Sequence, residues 1–222
     1  MQIDVFTLFP EWFGWFESQR HVRNALRLGH GLRYFNYRDT TPLPNGQVDD
    51  SPYGGGAGML IRVDVVDAAL QAVYGSDTGA MLEARRVAVL TPAGRQLDDG
   101  VAEELAAVER LTLLCGRYEG VDERVREHLA NDALSVGPYV LSGGELAAMV
   151  VADSVLRKLP GTLGDAASPV EESFSPALEG GVEYPHYTRP ASYRGWDVPD
   201  VLLSGHHAEV QRWRSANISR PR

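Results

Sequence analysis

The chain has 222 residues and a formal net charge of −9, with 44% hydrophobic and 23% charged residues, a length and balance that exclude bulk disorder and allow a core to be buried without metals. A single cysteine, Cys115, excludes a disulfide framework and predicts a cytoplasmic protein. The sequence predicts neither a signal peptide nor a membrane span, because no run of about 18 apolar residues exists.

In chain order, Ile3–Phe9 reads as a strand, and Pro10 opens a helical stretch that Gly29 and Gly31 close. Leu32–Tyr37 alternates as a second strand. An irregular segment rich in Gly, Pro and Asp runs from Asp39 to Arg62, and loops of that length are usually functional or disordered. Val65–Tyr74 is an amphipathic helix stopped by Gly75. One pattern then recurs. The strand Arg86–Thr91 precedes a helix near Asp98–Val108, Leu111–Cys115 precedes a helix from about Val121, and Ala133–Val136 precedes the helix Glu145–Leu159. Short apolar strands alternating with helices predict an α/β fold, a parallel sheet with helices on both faces. Residues 162–185 lack periodicity and read as a linker. Val198–Leu203 and His206–Ala216 read as short helices of a small C-terminal subdomain. The predicted domains are 1–161, a linker 162–185, and a helical subdomain 186–222.

The negative charge is uneven. Residues 17–38 carry Arg20, Arg23, Arg27, Arg33 and Arg38 against Glu17. Residues 189–222 carry Arg189, Arg194, Arg212, Arg214, Arg220 and Arg222 against Asp197, Asp200 and Glu209. Two basic ends allow phosphate contacts despite the net charge, and solvated helix faces explain them equally well.

Three successive strands end in glycine-rich loops, and ligands of open α/β sheets bind beyond the carboxyl ends of the strands. The loops are Pro92-Ala93-Gly94-Arg95, Gly116-Arg117-Tyr118-Glu119-Gly120 and Gly137 through Gly144. Neither a GxxxxGK[ST] nor a GxGxxG fingerprint follows a strand, which disfavours P-loop and dinucleotide-binding readings. Adjacent His206 and His207 cannot both face one metal from a helix, and no ligand cluster specifies a metal site.

Five ordered blocks carry a resemblance. They are Asp49 through Met59 (DDSPYGGGAGM), Leu114 through Arg124 (LCGRYEGVDER), Tyr139 through Leu146 (YVLSGGEL), Pro185 through Pro190 (PHYTRP) and Leu203 through His207 (LSGHH). Together they resemble the bacterial tRNA (guanine-N1)-methyltransferase family of the SPOUT class, over about residues 1–216. The resemblance implies a trefoil knot late in the catalytic domain, an obligate homodimer, and S-adenosylmethionine as methyl donor. It implies methylation of N1 of the guanosine at tRNA position 37, 3′ of the anticodon, and a magnesium requirement. Cofactor-binding residues carried over are Leu90, Thr91, Pro92, Gly116, Arg117, Tyr118, Glu119, Val136, Gly137, Pro138, Tyr139, Val140, Leu141, Gly143 and Gly144. Substrate-binding residues carried over are Asp50, Gly58, His186 and Arg189. Catalytic residues carried over are Arg157 and Glu172, the latter standing where the family has aspartate. Pro138 replaces a usual aspartate, Ala57 a usual proline, and familiar members continue beyond Trp213 with further helices. Two alternatives stay open: a knotted cofactor- or RNA-binding module with reduced or lost catalysis, and a SPOUT enzyme acting on another RNA.

Overall fold

The computed structural model describes residues 1–163 and 172–220. The chain divides into two compact units, Met1–Gly164 and Asp165–Arg222.

The first unit is built on a parallel five-stranded sheet. Its strands are β1 (Gln2–Thr7), β2 (Gly31–Asn36), β5 (Arg86–Gln96), β6 (Arg110–Cys115) and β7 (Asp132–Ser135), in the order β2-β1-β6-β5-β7. Every pairing is parallel. Alternation along each strand sends side chains to two cores. Ile3, Val5, Ala88, Leu90, Leu111 and Leu113 face one core, closed by α1 (Phe13–Glu17), α2 (Arg20–Arg27), α5 (Asp99–Ala106) and α6 (Gly144–Lys158). Phe6, Val87, Val89 and Leu114 face the other, closed by α3 (Val63–Tyr74), α4 (Thr78–Ala84) and the turn Val125–Leu129. Helices therefore cover both faces, as the alternating strand pattern predicts. The helix starts follow capping chemistry: Asp77 accepts from Ala80 N at 2.9 Å and Asp98 from Val101 N at 2.8 Å.

One polar cluster crosses the second core. Asp4 is fully buried. It accepts from Arg33 at 2.7 and 2.8 Å and from the Tyr74 hydroxyl at 2.7 Å, and Arg85 approaches to 3.3 Å. Arg33 is thus tied to Asp4 although its side chain remains half exposed, and Arg20, Arg23 and Arg27 are exposed as well.

Three elements differ from the sequence reading. Segment 39–62 is not wholly irregular, because β3 (Asp49–Asp50) and β4 (Leu60–Ile61) pair as an antiparallel ribbon. Strand β5 does not stop at Thr91. It pairs with β7 through Leu90, bulges, and resumes pairing at Arg95. The bulge lets Gly94 approach the β7 backbone so closely that a Cβ there would lie 2.4 Å from Leu134 N. The helix expected from Val121 is reduced to a π-helical turn at Val125–Leu129. Its start is delayed because Val121 bridges Ile61 and Asp122 N donates to Ile61 O at 2.9 Å. Helix α4 carries no expectation from the sequence.

The second unit holds a short antiparallel ribbon, β8 (Ser192–Tyr193) with β9 (Trp196–Asp197), and the helices α7 (Asp200–Leu203) and α8 (His207–Ala216). Residues 172–185 of the expected linker lie in this unit, where Val182 and Ser219 exchange backbone hydrogen bonds of 2.7 and 3.1 Å. The rest of that linker's 164–171 stretch, with Glu171 and Pro169, falls outside the described residues, as does Arg222. Among the described residues no helix is long and apolar enough to cross a membrane.

Candidate functional site

A cleft of about 400 Å³ opens at the carboxyl ends of β5, β6 and β7, within the usual range for small-molecule sites. Its wall comes from Val89–Pro92 on β5, Gly116–Val121 after β6, and, at and beyond the end of β7, residues 134–137, 139–141, 143 and 144. Fourteen of the fifteen expected cofactor residues line it; Pro138 does not, and is exposed at the tip of its loop.

The loops are tied to one another through backbone. Gly144 N donates to Gly116 O at 2.8 Å, and Arg117 bridges both Gly120 and Gly143. Gly144 is required by proximity: a Cβ there would come within 2.6 Å of Cys115 Cα. Tyr118 takes φ 59, a left-handed conformation uncommon for a residue with a side chain, at the middle of the second loop. Tyr139 folds back, its hydroxyl donating to Val136 O at 2.9 Å.

Charge is placed on one part of the wall. Arg117, Glu119, Glu123 and Arg126 line the cleft beside Leu90, Val136, Leu141 and Ala147. Glu123 and Arg126 form an ion pair three residues apart. The carry-over by resemblance omits both; the helical spacing inside the LCGRYEGVDER block and beyond it is the signal that could have found them. An apolar wall next to charged groups suits a ligand with a flat apolar ring and a zwitterionic end.

The first glycine block packs onto the second. Glu119 N donates to Met59 O at 3.1 Å, and a Cβ on Gly58 would meet Glu119 Cγ at 2.4 Å. Asp50, on the adjoining ribbon, lies 3.4 Å from Arg62 Nη1. Of the expected substrate residues, Gly58 is therefore brought against the cleft's second loop, while Asp50 lies on the ribbon that leads to it. Cys115 is buried behind that loop, and burial, with the charge of Glu145, pushes its thiol well above the ordinary range. It is an inert core thiol.

Arg157 lies in the last turn of α6, where a cation suits the helix dipole. Glu172, His186 and Arg189 belong to the second unit. Glu172 O accepts from Ser175 N at 3.1 Å in a turn where Phe174 takes φ 71. Glu183 braces that turn: its Oε2 accepts from Ser173 N at 3.2 Å and from Ser173 Oγ at 3.4 Å, and its Oε1 lies 3.1 Å from His186 Nε2. Arg189 is exposed. Among the described residues no three His, Cys, Asp or Glu side chains gather as a metal site.

The family model of tRNA (Guanine-1)-methyltransferase TrmD matches residues 1–221. A tRNA (guanine-N(1)-)-methyltransferase of Brevibacillus brevis is 49% identical over 215 residues, covering 96% of this chain and 85% of its own. Proteins of the same name from Dehalococcoides mccartyi and Bacillus cereus are 50% and 48% identical over 96% of this chain, covering 84% and 85% of their own lengths.

Proposed function

The chain belongs to the tRNA (guanine-1)-methyltransferase family and is an enzyme that methylates tRNA, and we propose that it binds S-adenosylmethionine in the three-loop cleft and methylates N1 of the guanosine at position 37, 3′ of the anticodon. The observation that carries this reading is the cleft itself: loops from three neighbouring strands, joined backbone to backbone, with an apolar wall and a charged end. Those features fit an adenosine and an amino-acid tail. Bound there, the cofactor supplies an electrophilic methyl group.

The chain must supply the rest. Guanine N1 carries a proton and is a poor nucleophile until the proton leaves. Glu172 takes that proton as general base, since glutamate differs little in basicity from the family's aspartate. Arg157 stabilises the negative charge that develops on O6. Asp50, Gly58, His186 and Arg189 hold the nucleotide and its neighbours, and the exposed arginines of both chain ends contact phosphates. The target lies in a single-stranded loop, where a base can be splayed out and read on its edges.

A SPOUT knot and a homodimer belong to the same proposal. The close passage of the third loop against Gly116 supports the knot. Trp15, Leu146 and Val150 are 68%, 53% and 48% exposed, an apolar set of the kind a second copy covers. The protein works in the cytoplasm, where tRNA is modified. Magnesium has no cluster of side chains to place it among the described residues, so no step is assigned to it.

The test uses unmodified tRNA transcripts and labelled S-adenosylmethionine. Label should enter a transcript with guanosine at position 37 and not one with adenosine there. Equal labelling of both would move the target to another nucleotide.

A further inference from the structure

Behind the cleft wall stands a buried carboxylate with no part in the chemistry above. Glu145, near the start of α6, is 1% exposed. Its Oε1 accepts from Thr7 Oγ1, at the end of β1, at 2.8 Å. Its Oε2 has no hydrogen-bond partner among the described residues and lies 3.7 Å from Arg117 Nη1. The N-cap of α6 is Gly143, which has no side chain to close the helix N-terminus. A buried carboxylate with one oxygen unbonded is costly, and the helix N-terminus offsets only part of that cost.

Arg117 is held on its other side by aromatic faces. Its guanidinium carbon lies 4.9 Å from the Phe9 ring centre and 5.8 Å from that of Trp12. Space between the two charged groups is kept by Gly143, where a Cβ would fall 2.4 Å from Glu145 Oε2 and 2.7 Å from Arg117 Nη1. The arginine therefore stands between a carboxylate and two aromatic rings while its side chain still lines the cleft.

We propose that Glu145 is a positioning residue that holds Arg117, and that Arg117 so held receives the carboxylate of the cofactor's amino-acid end. A guanidinium offers donors on two edges: one can face Glu145 while the other grips a second carboxylate in bidentate fashion. A free arginine on a flexible loop would lose that aim. The inference rests on the reading of the cleft as an S-adenosylmethionine site.

Two ligands separate the ideas. S-adenosylhomocysteine has the amino-acid end, and 5′-methylthioadenosine has the same adenosine and thioether without it. Calorimetry on the full chain should show Arg117→Met weakening S-adenosylhomocysteine by ~10- to 100-fold, the scale of lost bonds to a charged group, with 5′-methylthioadenosine unchanged. Glu145→Gln should act in the same direction and more weakly. In steady state, KM for S-adenosylmethionine should rise more than kcat falls. Equal losses for both ligands would make the pair a brace for the loops and overturn the proposal. So would no loss for either, or a rise in KM for tRNA alone. Should Glu145→Gln fail to fold, Arg117→Met still decides, because methionine keeps a stem on Phe9 and Trp12. A parent chain that binds neither ligand would instead remove the cofactor reading.

Discussion

The cleft of the first unit and the Glu172 turn of the second are fixed by different means. Each cleft loop grows directly from a strand whose side chains are buried on both faces, and backbone bonds join the loops. Among the described residues the Glu172 turn does not grow from a strand. Its order comes from side chains, with Glu183 bonded to Ser173 and His186, and from local backbone bonds, Phe174 N donating to Gly181 O at 2.7 Å beside the Val182–Ser219 pair. A ligand that must be gripped on all sides benefits from the first kind of support. The general base proposed at Glu172 needs only one well-aimed carboxylate, for which the second kind of support suffices.

The difference is broken most severely from inside the sheet. Asp4→Asn removes the charge that Arg33, Arg85 and the Tyr74 hydroxyl converge on, and should cost about 3–5 kcal/mol, the scale for leaving a buried pair half-removed. Hydrogen exchange should accelerate across residues 1–163 and not across 172–220. Equal acceleration in both would show that the units share one stability. The pH dependence has a definite sign. Burial alone would raise the Asp4 carboxyl, yet the bonds from Arg33 and Tyr74 hold it below the ordinary carboxylate range. Its stabilisation is therefore present above the unfolded value of about 3.9 and is lost as pH falls through the lower folded value. Acid unfolding of Asp4→Asn should lack that component.

Next in size is Glu172→Gln. It should slow methylation by ~10²-fold or more while leaving S-adenosylhomocysteine affinity and the unfolding midpoint unchanged. Glu172→Asp should keep or raise the rate. A parental rate in Glu172→Gln would place the base elsewhere.

Much of the first unit was legible in the sequence because each strand is a short apolar run ending in glycine. Leu111–Cys115 and its loop needed no tertiary information. The bulge in β5 did not show, since Pro92 and Gly94 read as punctuation and only pairing with β7 carries the strand past them. The delayed helix after Val121 was hidden for the same reason: the tie to Ile61 is long-range. Among site residues, the loops could be placed from glycine and strand order, with the rest supplied by resemblance. Glu145 was quoted within a block and passed over, because burial beside Arg117 is a fact of packing. Pro138, a departure in sequence, is exposed and does not line the cleft.

A smaller change sharpens the comparison from the cleft side. Gly144→Ala forces a Cβ against Cys115 Cα and the Gly116 backbone, where nothing can swing away. Overpacking of this kind costs about 1–3 kcal/mol. The loops should part, so cofactor affinity should fall in step with stability, measured by calorimetry and denaturant unfolding on one sample. Lost stability with intact affinity would mean that the cleft does not depend on the contact between its second and third loops.

The smallest effect should come from Glu183→Gln. Glutamine keeps the length of the side chain and one carbonyl oxygen, but its amide nitrogen cannot accept. In the parent, both carboxylate oxygens are used, Oε2 by the amide and hydroxyl of Ser173 and Oε1 by His186. The variant's one oxygen can serve only Ser173 or His186, its amide can reach His186 Nε2 only in the tautomer that accepts there, and a neutral bond replaces a charge-assisted one, a loss of about 1 kcal/mol. Ser173 directly follows Glu172, so loosening it spreads the positions the base can occupy without removing the base. The methylation rate should fall a few-fold, cofactor affinity should stay constant, and Ser173→Ala, which removes the hydroxyl bonded both to Glu183 Oε2 and to Glu183 N, should give a partly non-additive loss because the two changes share one bond. An additive double variant would show that Glu183 acts on the reaction by another route, and an unchanged rate would show that the turn holds its shape from backbone bonds, Phe174 N to Gly181 O and the Val182–Ser219 pair.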